Sequence, residues 1–328
     1  MTSTGRYDES RRLELKRIAD ETLRAIDEGM YPYHGVDQEL QPRMREAIKG
    51  TKFYPPDSPA SFWATTKLDS SSTPSPAHIS VLNVSTLDAA RLLYNAYKND
   101  PKDHGAVTGV LNFASATKPG GGFKNGAEAQ EESIARSSTL YPTLISDEGL
   151  KFYKLHKAES AQNSAAYYSH AILYSPKVTV FRDDDGVWAY PFEIDVLSCA
   201  AVNAGELRKA LDGPITSGLE VLIEKEMAER MGRILYVFEQ HGIHNLILGT
   251  FGTGVFRNNV ATVARIWAQL LITPDARFKD SFKRIIFAVT GEETFAEFQS
   301  AFDAWRQSRV SEVATTSKVG SLVNRFLG

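Results

Sequence analysis

The sequence predicts an α/β protein in which one sheet is covered by helices on both faces. From residue 78 onward, short apolar runs alternate with helical patterns, and this alternation is typical of such a sheet. The 328 residues are 42% hydrophobic and 23% charged, which is the composition of a folded protein rather than of a disordered chain. The length allows one large domain or two ordinary ones.

Charge and cysteine content exclude several classes of function. The formal net charge is -3, so the chain as a whole has no excess of positive charge that would favour binding to nucleic acid. The one cysteine, Cys199, excludes a disulfide within the chain and a cysteine-based zinc site, and its apolar neighbours favour a buried thiol. The histidines show no spacing typical of zinc ligands. We therefore expect neither a metal nor a cofactor.

The beginning of the sequence is polar and lacks the apolar segment of a secretion signal. No apolar run approaches the length of a membrane span. We expect a protein of the cytoplasm or nucleus, or both, that is not secreted and has no membrane partner.

The chain divides into three parts by pattern. Residues 1–77 are expected to form an N-terminal helical extension, with helices over 10–28 and 37–49 and a Pro/Ser-rich loop over 55–76, packed on the main domain. Residues 78–310 are predicted to form that main domain, and 311–328 a C-terminal tail. Within the main domain, strands are predicted in the segments 78–84, 106–115, 177–183, 192–202, 244–249 and 282–291. Helices are predicted over 85–97, 217–240, 260–271 and 292–306, and a further helix follows the glycine and glutamate segment and extends to about residue 144.

Two of these helices carry further predictions. Ser85 or Thr86 is the expected N-cap of the helix over 85–97, because a hydroxyl before an apolar helical pattern accepts a backbone hydrogen bond. The helix over 217–240 is amphipathic, and its predicted inward residues are Leu219, Leu222, Ile223, Met231, Leu235 and Phe238.

Two glycine-rich segments follow predicted strands. Gly249, Gly252 and Gly254 lie between a strand and a helix, where backbone N–H groups can bind a diphosphate. A turn that needs positive φ explains the same pattern equally well. Gly120 to Gly122 follow the strand that ends at Asn112, at the edge where open α/β sheets bind ligands, although a flexible surface loop is the alternative.

Glu131 and Glu132 stand next to each other, with Glu131 nine residues after Gly122, the last residue of the triple glycine. On a helix, neighbouring side chains diverge by about 100°, so we expect an irregular backbone if both are to face one pocket. Two carboxylates in one site keep a proton available near neutral pH, which is what a general acid for glycoside cleavage requires. The alternative is a solvated helix start.

Together these residues resemble the microbial-type poly(ADP-ribose) glycohydrolase family. The signature is a triple glycine followed after a short spacer by Gln-Glu-Glu, and here it stands as 120–122, seven residues, then 130–132. Further blocks resemble that family, among them "ISVLNVSTLDAARLL", "VLSCAAVNAGEL" and "LILGTFGTGVFRNN". The resemblance extends over most of residues 10–300.

The resemblance implies a macrodomain-like, three-layer α/β/α fold with a mixed central sheet and ADP-ribose bound at its edge. The implied activity is hydrolysis of the ribose–ribose bond of poly(ADP-ribose), with Glu132 as general acid and base and Glu131 positioning the ribose hydroxyls. Phe251 and Thr253 stand where many relatives carry Trp and Cys. The implied substrate-binding residues are Asn112, Gly120, Gly121, Gly122, Gln130, Asn203, Gly249, Gly252, Thr253, Gly254, Val255 and Phe256.

Two other functions remain open from the sequence. The same chemistry can act on mono-ADP-ribose linked to protein or nucleic acid, since only the leaving group differs. The other hypothesis is a non-catalytic module that binds ADP-ribose without cleaving it. The expected partners are poly(ADP-ribose) or ADP-ribosylated macromolecules, with ADP-ribose as product, and we expect a monomer.

Overall fold

A seven-stranded mixed sheet runs through the middle of the computed structural model, which describes residues 3–66, 77–98, 106–160, 166–210 and 217–306. The strands are β1 (Met30–Tyr33), β2 (Val36–Glu39), β3 (Lys52–Tyr54), β4 (His78–Leu82), β5 (Thr108–Phe113), β6 (Ile172–Arg182), β7 (Trp188–Cys199), β8 (Asn245–Gly249) and β9 (Arg284–Ala288). The helices are α1 (Ser3–Glu28), α2 (Gln41–Gly50), α3 (Thr86–Tyr97), α4 (Gln130–Ser137), α5 (Leu140–Leu144), α6 (Asp147–Ser160), α7 (Ala204–Lys209), α8 (Ser217–Gln240), α9 (Val260–Leu271) and α10 (292–306).

The sheet has the strand order β3-β6-β7-β5-β8-β9-β4. The strands from β7 to β4 are parallel, whereas β3 and β6 pair antiparallel at one edge. All five residues of β8 are buried, and its apolar run at 246–248 is typical of a parallel strand covered on both faces. The pair β1 and β2 forms a separate two-stranded hairpin.

Helices cover both faces of this sheet. One face packs on α8, α9 and α10, with Trp267 and Phe298 among the fully buried side chains. The other packs on α3, α4 and α6, with Leu87, Ile134 and Phe152 in its core. The predicted α/β fold with a mixed sheet between helical layers is therefore confirmed.

The helix boundaries follow local chemistry. Ser85 is the N-cap of α3, since its hydroxyl accepts a hydrogen bond from the Asp88 amide at 3.0 Å. Asn259 caps α9 in the same way through the Thr262 amide at 2.8 Å. The bounds predicted for α8 and α9 agree with the structure, but Leu222 of α8 was predicted to face inward and is 51% exposed. The next residue, Ile223, was also predicted to face inward and is buried.

The N-terminal part differs most from the prediction. The second helix begins at Gln41 rather than at 37, because residues 30–39 form the β1–β2 hairpin around Gly35. β3 pairs with β6, so part of the segment 1–77 belongs to the central sheet. The division of the chain at residue 77 remains a prediction, and the tail at 311–328 lies outside the described residues.

Helix α1 packs along the segment that precedes α4. Ala19 of α1 shares a small apolar cluster with Phe123 and Ala135. The buried hydroxyl of Thr22 donates to the Arg136 carbonyl at 2.6 Å. These contacts join the first helix of the chain to the glycine-rich loop more than a hundred residues later.

A second set of contacts fixes the end of that loop. The Arg12 guanidinium donates from Nε to the Asn125 carbonyl at 2.9 Å. Gly126 has φ +75°, and a Cβ there would lie 2.1 Å from the Arg12 carbonyl oxygen. Only glycine therefore permits the observed approach of α1 to the loop.

Within the described residues, no helix is both long enough and apolar enough to cross a membrane. The same residues contain no cluster of three or more His, Cys, Asp or Glu side chains that could hold a metal ion.

We expect Gly126→Ala to destabilise the protein more than Gly35→Ala, although both glycines have φ near +76°: +75° at Gly126 and +77° at Gly35. An added Cβ at Gly35 meets no atom within 4 Å, so the free energy of unfolding of that variant falls only because alanine disfavours the left-handed backbone conformation. The Gly126 variant must also displace α1, which adds about 1 to 3 kcal/mol. Urea denaturation of both variants measures the difference, and equal losses would contradict the tight docking of α1.

Candidate active site

A cavity of about 860 Å³ lies at the carboxyl ends of the parallel strands. Its walls come from the residues that follow β5, β8 and β9 and from the first turns of α3 and α4. This is the edge at which open α/β sheets bind ligands. The predicted site residues that line it are Gly121, Gly122, Gln130, Glu131, Glu132, Gly252, Thr253, Gly254, Val255 and Phe256, whereas Asn112, Gly120, Asn203 and Gly249 do not.

Gln130, the first residue of α4, fastens the helix to the end of β5. Its Oε1 accepts from the Phe113 amide at 2.8 Å, and its Nε2 donates to the Leu111 carbonyl at 2.7 Å and to the Thr86 hydroxyl at 3.2 Å. The side-chain amide thus continues the backbone hydrogen bonding of the strand. Its donors and its acceptor are used inside the protein, which gives Gln130 a positioning role.

Glu131 is buried, with 3% of its surface exposed. One carboxyl oxygen accepts from the Ser115 amide at 2.7 Å, and the other lies 3.3 Å from Asn112 Nδ2. Burial raises the pKa of Glu131 to about 8, against the opposing effect of the Ser115 hydrogen bond. The charge of neighbouring Glu132 acts in the same direction as burial. Glu131 is therefore largely protonated near neutral pH.

Glu132 has a different environment. It is half-buried, and its Oε1 accepts from the Gly122 amide at 2.8 Å. Its other oxygen has no hydrogen-bond partner among the described residues and borders the cavity. The carboxyl group is thus held by one oxygen and open to a ligand at the other.

The backbone of the two glutamates corrects one expectation. Both are helical, in the first turn of α4, rather than in an irregular loop. They reach the same cavity because it surrounds the end of the helix, so diverging side chains can still line one space. The alternative of a solvated helix start is wrong for Glu131, which is buried.

The triple glycine brings backbone against Glu132. Gly120 and Gly121 have φ +69° and +60°, a region that side chains other than glycine rarely adopt. A Cβ on Gly121 would lie 2.2 Å from Glu132 Oε1 and 3.2 Å from Glu131 Oε2. The segment is therefore a close-fitting wall and not a free surface loop.

The second glycine-rich segment combines the two roles that the sequence left open. Gly252 has φ +77°, and a Cβ there would lie 2.3 Å from Ala201 Cβ. The Asn258 side chain fixes the turn by donating to the carbonyls of Val202 and Gly252 at 2.8 and 3.0 Å. An added Cβ at Gly254 would meet no atom within 4 Å, and the loop lines the cavity. The positive-φ turn thus also forms a wall of the cavity.

The side chains of this loop differ in exposure. Val255 is 82% exposed at the rim of the cavity. Phe256 is partly buried and packs on Tyr168 at a centroid distance of 5.7 Å. Phe251 is buried and lies against Phe113 at 5.8 Å. The aromatic pair Phe113–Phe251 therefore forms the floor between the two glycine segments.

Two predicted residues support the site without bordering it. Asn112 is fully buried, and its Nδ2 donates to Ser198 Oγ at 2.9 Å as well as pointing at Glu131. Asn203 is the N-cap of α7, where its side chain accepts from the Glu206 amide at 3.2 Å. Capping by Asn203 is the ordinary role of asparagine at such a position.

The sequence did not identify several further charged residues that line the cavity, among them Arg11, Arg136, Asp184 and Asp185. These four come from α1, the end of α4 and the turn between β6 and β7. Arg11 hydrogen-bonds to Glu128 and therefore pairs across 117 positions of the sequence. A contact over this sequence separation leaves no periodicity or spacing in the sequence from which it could be predicted.

A fully buried arginine supports the opposite wall. Arg230 of α8 donates to the carbonyls of Ala200, Tyr167 and Tyr168 at 2.8, 2.9 and 3.1 Å. Tyr168 in turn packs on Phe256. The buried guanidinium thus satisfies backbone groups behind the aromatic side of the cavity.

The arrangement is suited to acid–base chemistry on a bound sugar. It offers one buried, neutral carboxyl group beside one carboxyl group with a free oxygen, at a helix N-terminus, next to backbone that a ligand can approach closely. The cavity volume of about 860 Å³, with the aromatic floor and the glycine loop in its walls, lies within the range of pockets that bind small-molecule ligands.

Comparisons with known proteins agree with this geometry. A family model described as the catalytic domain of microbial-type poly(ADP-ribose) glycohydrolase (PARG) matches residues 19–183. The crystal structure of PARG from Thermomonospora curvata is 33% identical, covers 90% of this chain and 100% of its own, and has a TM-score of 0.76. The same enzyme bound to the inhibitor ADP-HPD gives 32% identity, coverage of 89% and 99%, and a TM-score of 0.74.

PARG from Deinococcus radiodurans in complex with ADP-ribose is 28% identical, with coverage of 80% of this chain and 97% of its own and a TM-score of 0.66. A search among curated proteins finds no significant match. With a matching family model and a relative of this identity and coverage, the chain belongs to the microbial-type poly(ADP-ribose) glycohydrolase family.

Proposed function

We propose that this protein is a poly(ADP-ribose) glycohydrolase, which hydrolyses the ribose–ribose O-glycosidic bond and releases ADP-ribose, with Glu132 as general acid and base. The observation that carries the proposal is the Glu132 carboxyl group, held at Oε1 by the Gly122 amide and open to the cavity at its other oxygen. Relatives of this family bind ADP-ribose and the inhibitor ADP-HPD in their crystal structures.

In the first step Glu132 donates its proton to the leaving ribose oxygen while the C–O bond to the anomeric carbon breaks. The bond electrons leave with that oxygen, and the bound ribose acquires oxocarbenium character. The Glu132 carboxylate then takes a proton from water as the water oxygen bonds to the anomeric carbon. This returns the proton to Glu132 and completes one hydrolysis.

Glu131 has the complementary role of positioning the ribose hydroxyls. Because burial raises its pKa to about 8, it is present mainly as a neutral acid that can both donate and accept a hydrogen bond. We assign the 250–256 loop to the diphosphate, since it lines the cavity and an added Cβ at Gly254 would meet no atom within 4 Å, so that a ligand can approach the backbone there.

Poly(ADP-ribose) or ADP-ribosylated macromolecules are the substrates implied by this proposal, with ADP-ribose as product. A monomeric state and a location in the cytoplasm or nucleus remain predictions from the sequence.

Glu132→Gln should abolish release of ADP-ribose from purified poly(ADP-ribose) while ADP-ribose binding is retained. Removal of a general acid and base costs about 10² to 10⁴-fold in kcat. The control is Glu293→Gln, which changes an exposed glutamate on α10 and should keep full activity.

Chromatography measures the release of ADP-ribose, and calorimetry measures the binding of ADP-ribose to each protein. If the wild type binds ADP-ribose but cleaves neither polymer nor mono-ADP-ribosylated protein, the protein is a non-catalytic ADP-ribose-binding module and the proposed function is wrong. Cleavage of mono-ADP-ribosylated protein alone would move the proposal to that linkage.

Gly121→Ala should inactivate the enzyme although it adds one methyl group. The new Cβ would lie 2.2 Å from Glu132 Oε1 and must push the carboxyl group aside. Gly242→Ala is the matched control, since Gly242 has φ +67° and no atom within 4 Å of an added Cβ. Equal kcat values for the two variants, at comparable thermal stability, would contradict the proposed contact.

The raised pKa of Glu131 predicts a pH dependence of stability. Between pH 4.5 and about 8 the folded protein keeps a proton that the unfolded chain releases, so this group makes folding less favourable as pH rises through that window. The slope is at most about 1.4 kcal/mol per pH unit.

Glu131→Gln removes this contribution, so its stability relative to the wild type should increase from about pH 5.5 to about pH 7.5. Urea denaturation at the two pH values tests this, with Glu293→Gln as the control that should follow the wild type. A difference that does not change with pH would mean that Glu131 is ionised in the folded protein.

A further inference from the structure

The cavity continues past the glutamates on the side away from the 250–256 loop. That loop packs over Ala201 on the sheet face covered by α8 and α9. On the opposite face, α1, α4 and the β6–β7 turn form what we name the outer groove, defined by Arg11, Glu128, Ser133, Arg136, Asp184 and Asp185. Glu132 lies at the junction of the two parts, at the first turn of α4.

The six residues that define the outer groove are all polar or charged. It contains the donors of two arginines, the carboxylates of three acidic residues and one hydroxyl, with no large apolar side chain among its six residues. Part of this set is already engaged. Asp184 accepts from the Ser85 hydroxyl, and Arg136 donates to the Ala127 carbonyl and to Ser133 Oγ.

Arg11 and Asp185 keep unused capacity. The guanidinium of Arg11 has five N–H groups, of which three are engaged, two with Glu128 at 3.2 and 2.9 Å and one with Glu14 at 3.3 Å. Its side chain is 31% exposed. Asp185 is exposed and has no hydrogen-bond partner among the described residues. A ligand in the groove therefore meets free donors and a free carboxylate.

The position of Arg11 is fixed by its neighbours on α1. Arg12 bonds to the Asn125 carbonyl, and the close approach of the Arg12 carbonyl to Gly126 admits no side chain there. Glu128 holds the guanidinium itself. These contacts hold Arg11 beside the segment 120–128, which precedes α4.

These groups suit a ribose better than a peptide. Ribose hydroxyls both donate and accept hydrogen bonds, so they match neighbouring arginine and carboxylate groups, and charge-assisted hydrogen bonds of this kind are strong. We propose that the outer groove is the leaving-group subsite, in which Arg11 binds the ribose of the adjoining ADP-ribose unit and selects polymer over other ADP-ribose conjugates. This proposal rests on the proposed function, since it takes Glu132 as the point where the bond is cleaved.

The test is the binding of a defined ADP-ribose dimer and of ADP-ribose to the inactive Glu132→Gln protein, measured by calorimetry. The dimer should bind about tenfold more tightly than the monomer, the effect expected from a hydrogen bond to a charged group. Adding Arg11→Ala should reduce this preference to less than about twofold and leave the monomer affinity unchanged. Arg24→Ala, an exposed arginine on the same helix, should keep the preference.

Three results would overturn the subsite. They are a dimer that binds no better than the monomer, a preference that survives Arg11→Ala, and a loss of monomer affinity equal to the loss of dimer affinity. The last result would show that Arg11 only supports the pocket. Failure of the proposed function is distinguished by a separate measurement, the cleavage of the same dimer by wild-type protein. If the proposed function is wrong, the wild type leaves the dimer uncleaved, whatever its affinity for the dimer.

Discussion

The hydrogen bonds of the Gln130 side chain determine where the first turn of α4 lies relative to β5, and the candidate site depends on that placement. The amide bridges the carbonyl of Leu111 and the amide of Phe113 and thereby joins the helix to the last backbone groups of the strand. The next two residues of the helix are Glu131 and Glu132. Their carboxyl groups are therefore positioned by backbone hydrogen bonding, which is less sensitive to side-chain packing than a contact between two side chains would be.

Burial separates the two adjacent glutamates into different roles. Glu131 points inward to the Ser115 amide and to Asn112, and its pKa is raised to about 8 because its charge would be poorly solvated there. Glu132 is half-buried and engaged at one oxygen only. The same residue type in neighbouring positions thus supplies a neutral hydrogen-bonding group and a carboxyl group that is free to exchange a proton.

Much of the fold could be predicted from local patterns, because the buried strands and amphipathic helices repeat their apolar residues at fixed periods. The bounds of α8 and α9 show this, and the two glycine segments with the glutamate pair marked the cavity wall. The contribution of α1 could not be predicted in the same way. Arg11 and Glu128 are far apart in sequence, and neither carries a local signal of the other. Asn203 is the opposite case, since a plausible ligand residue proved to be a helix cap.

The spacing between the triple glycine and the glutamates reflects one tertiary contact. Gly121 must lack a side chain because Glu132 Oε1 would lie 2.2 Å from its Cβ, and Gly122 supplies the amide that holds the same oxygen. Between Gly122 and the glutamates the chain makes a short helical turn at Phe123–Asn125 and then reverses direction at Gly126. An added Cβ at Gly126 would collide with the Arg12 carbonyl oxygen. The first helix of the chain thus packs against the same loop whose Gly122 amide holds the Glu132 carboxyl group.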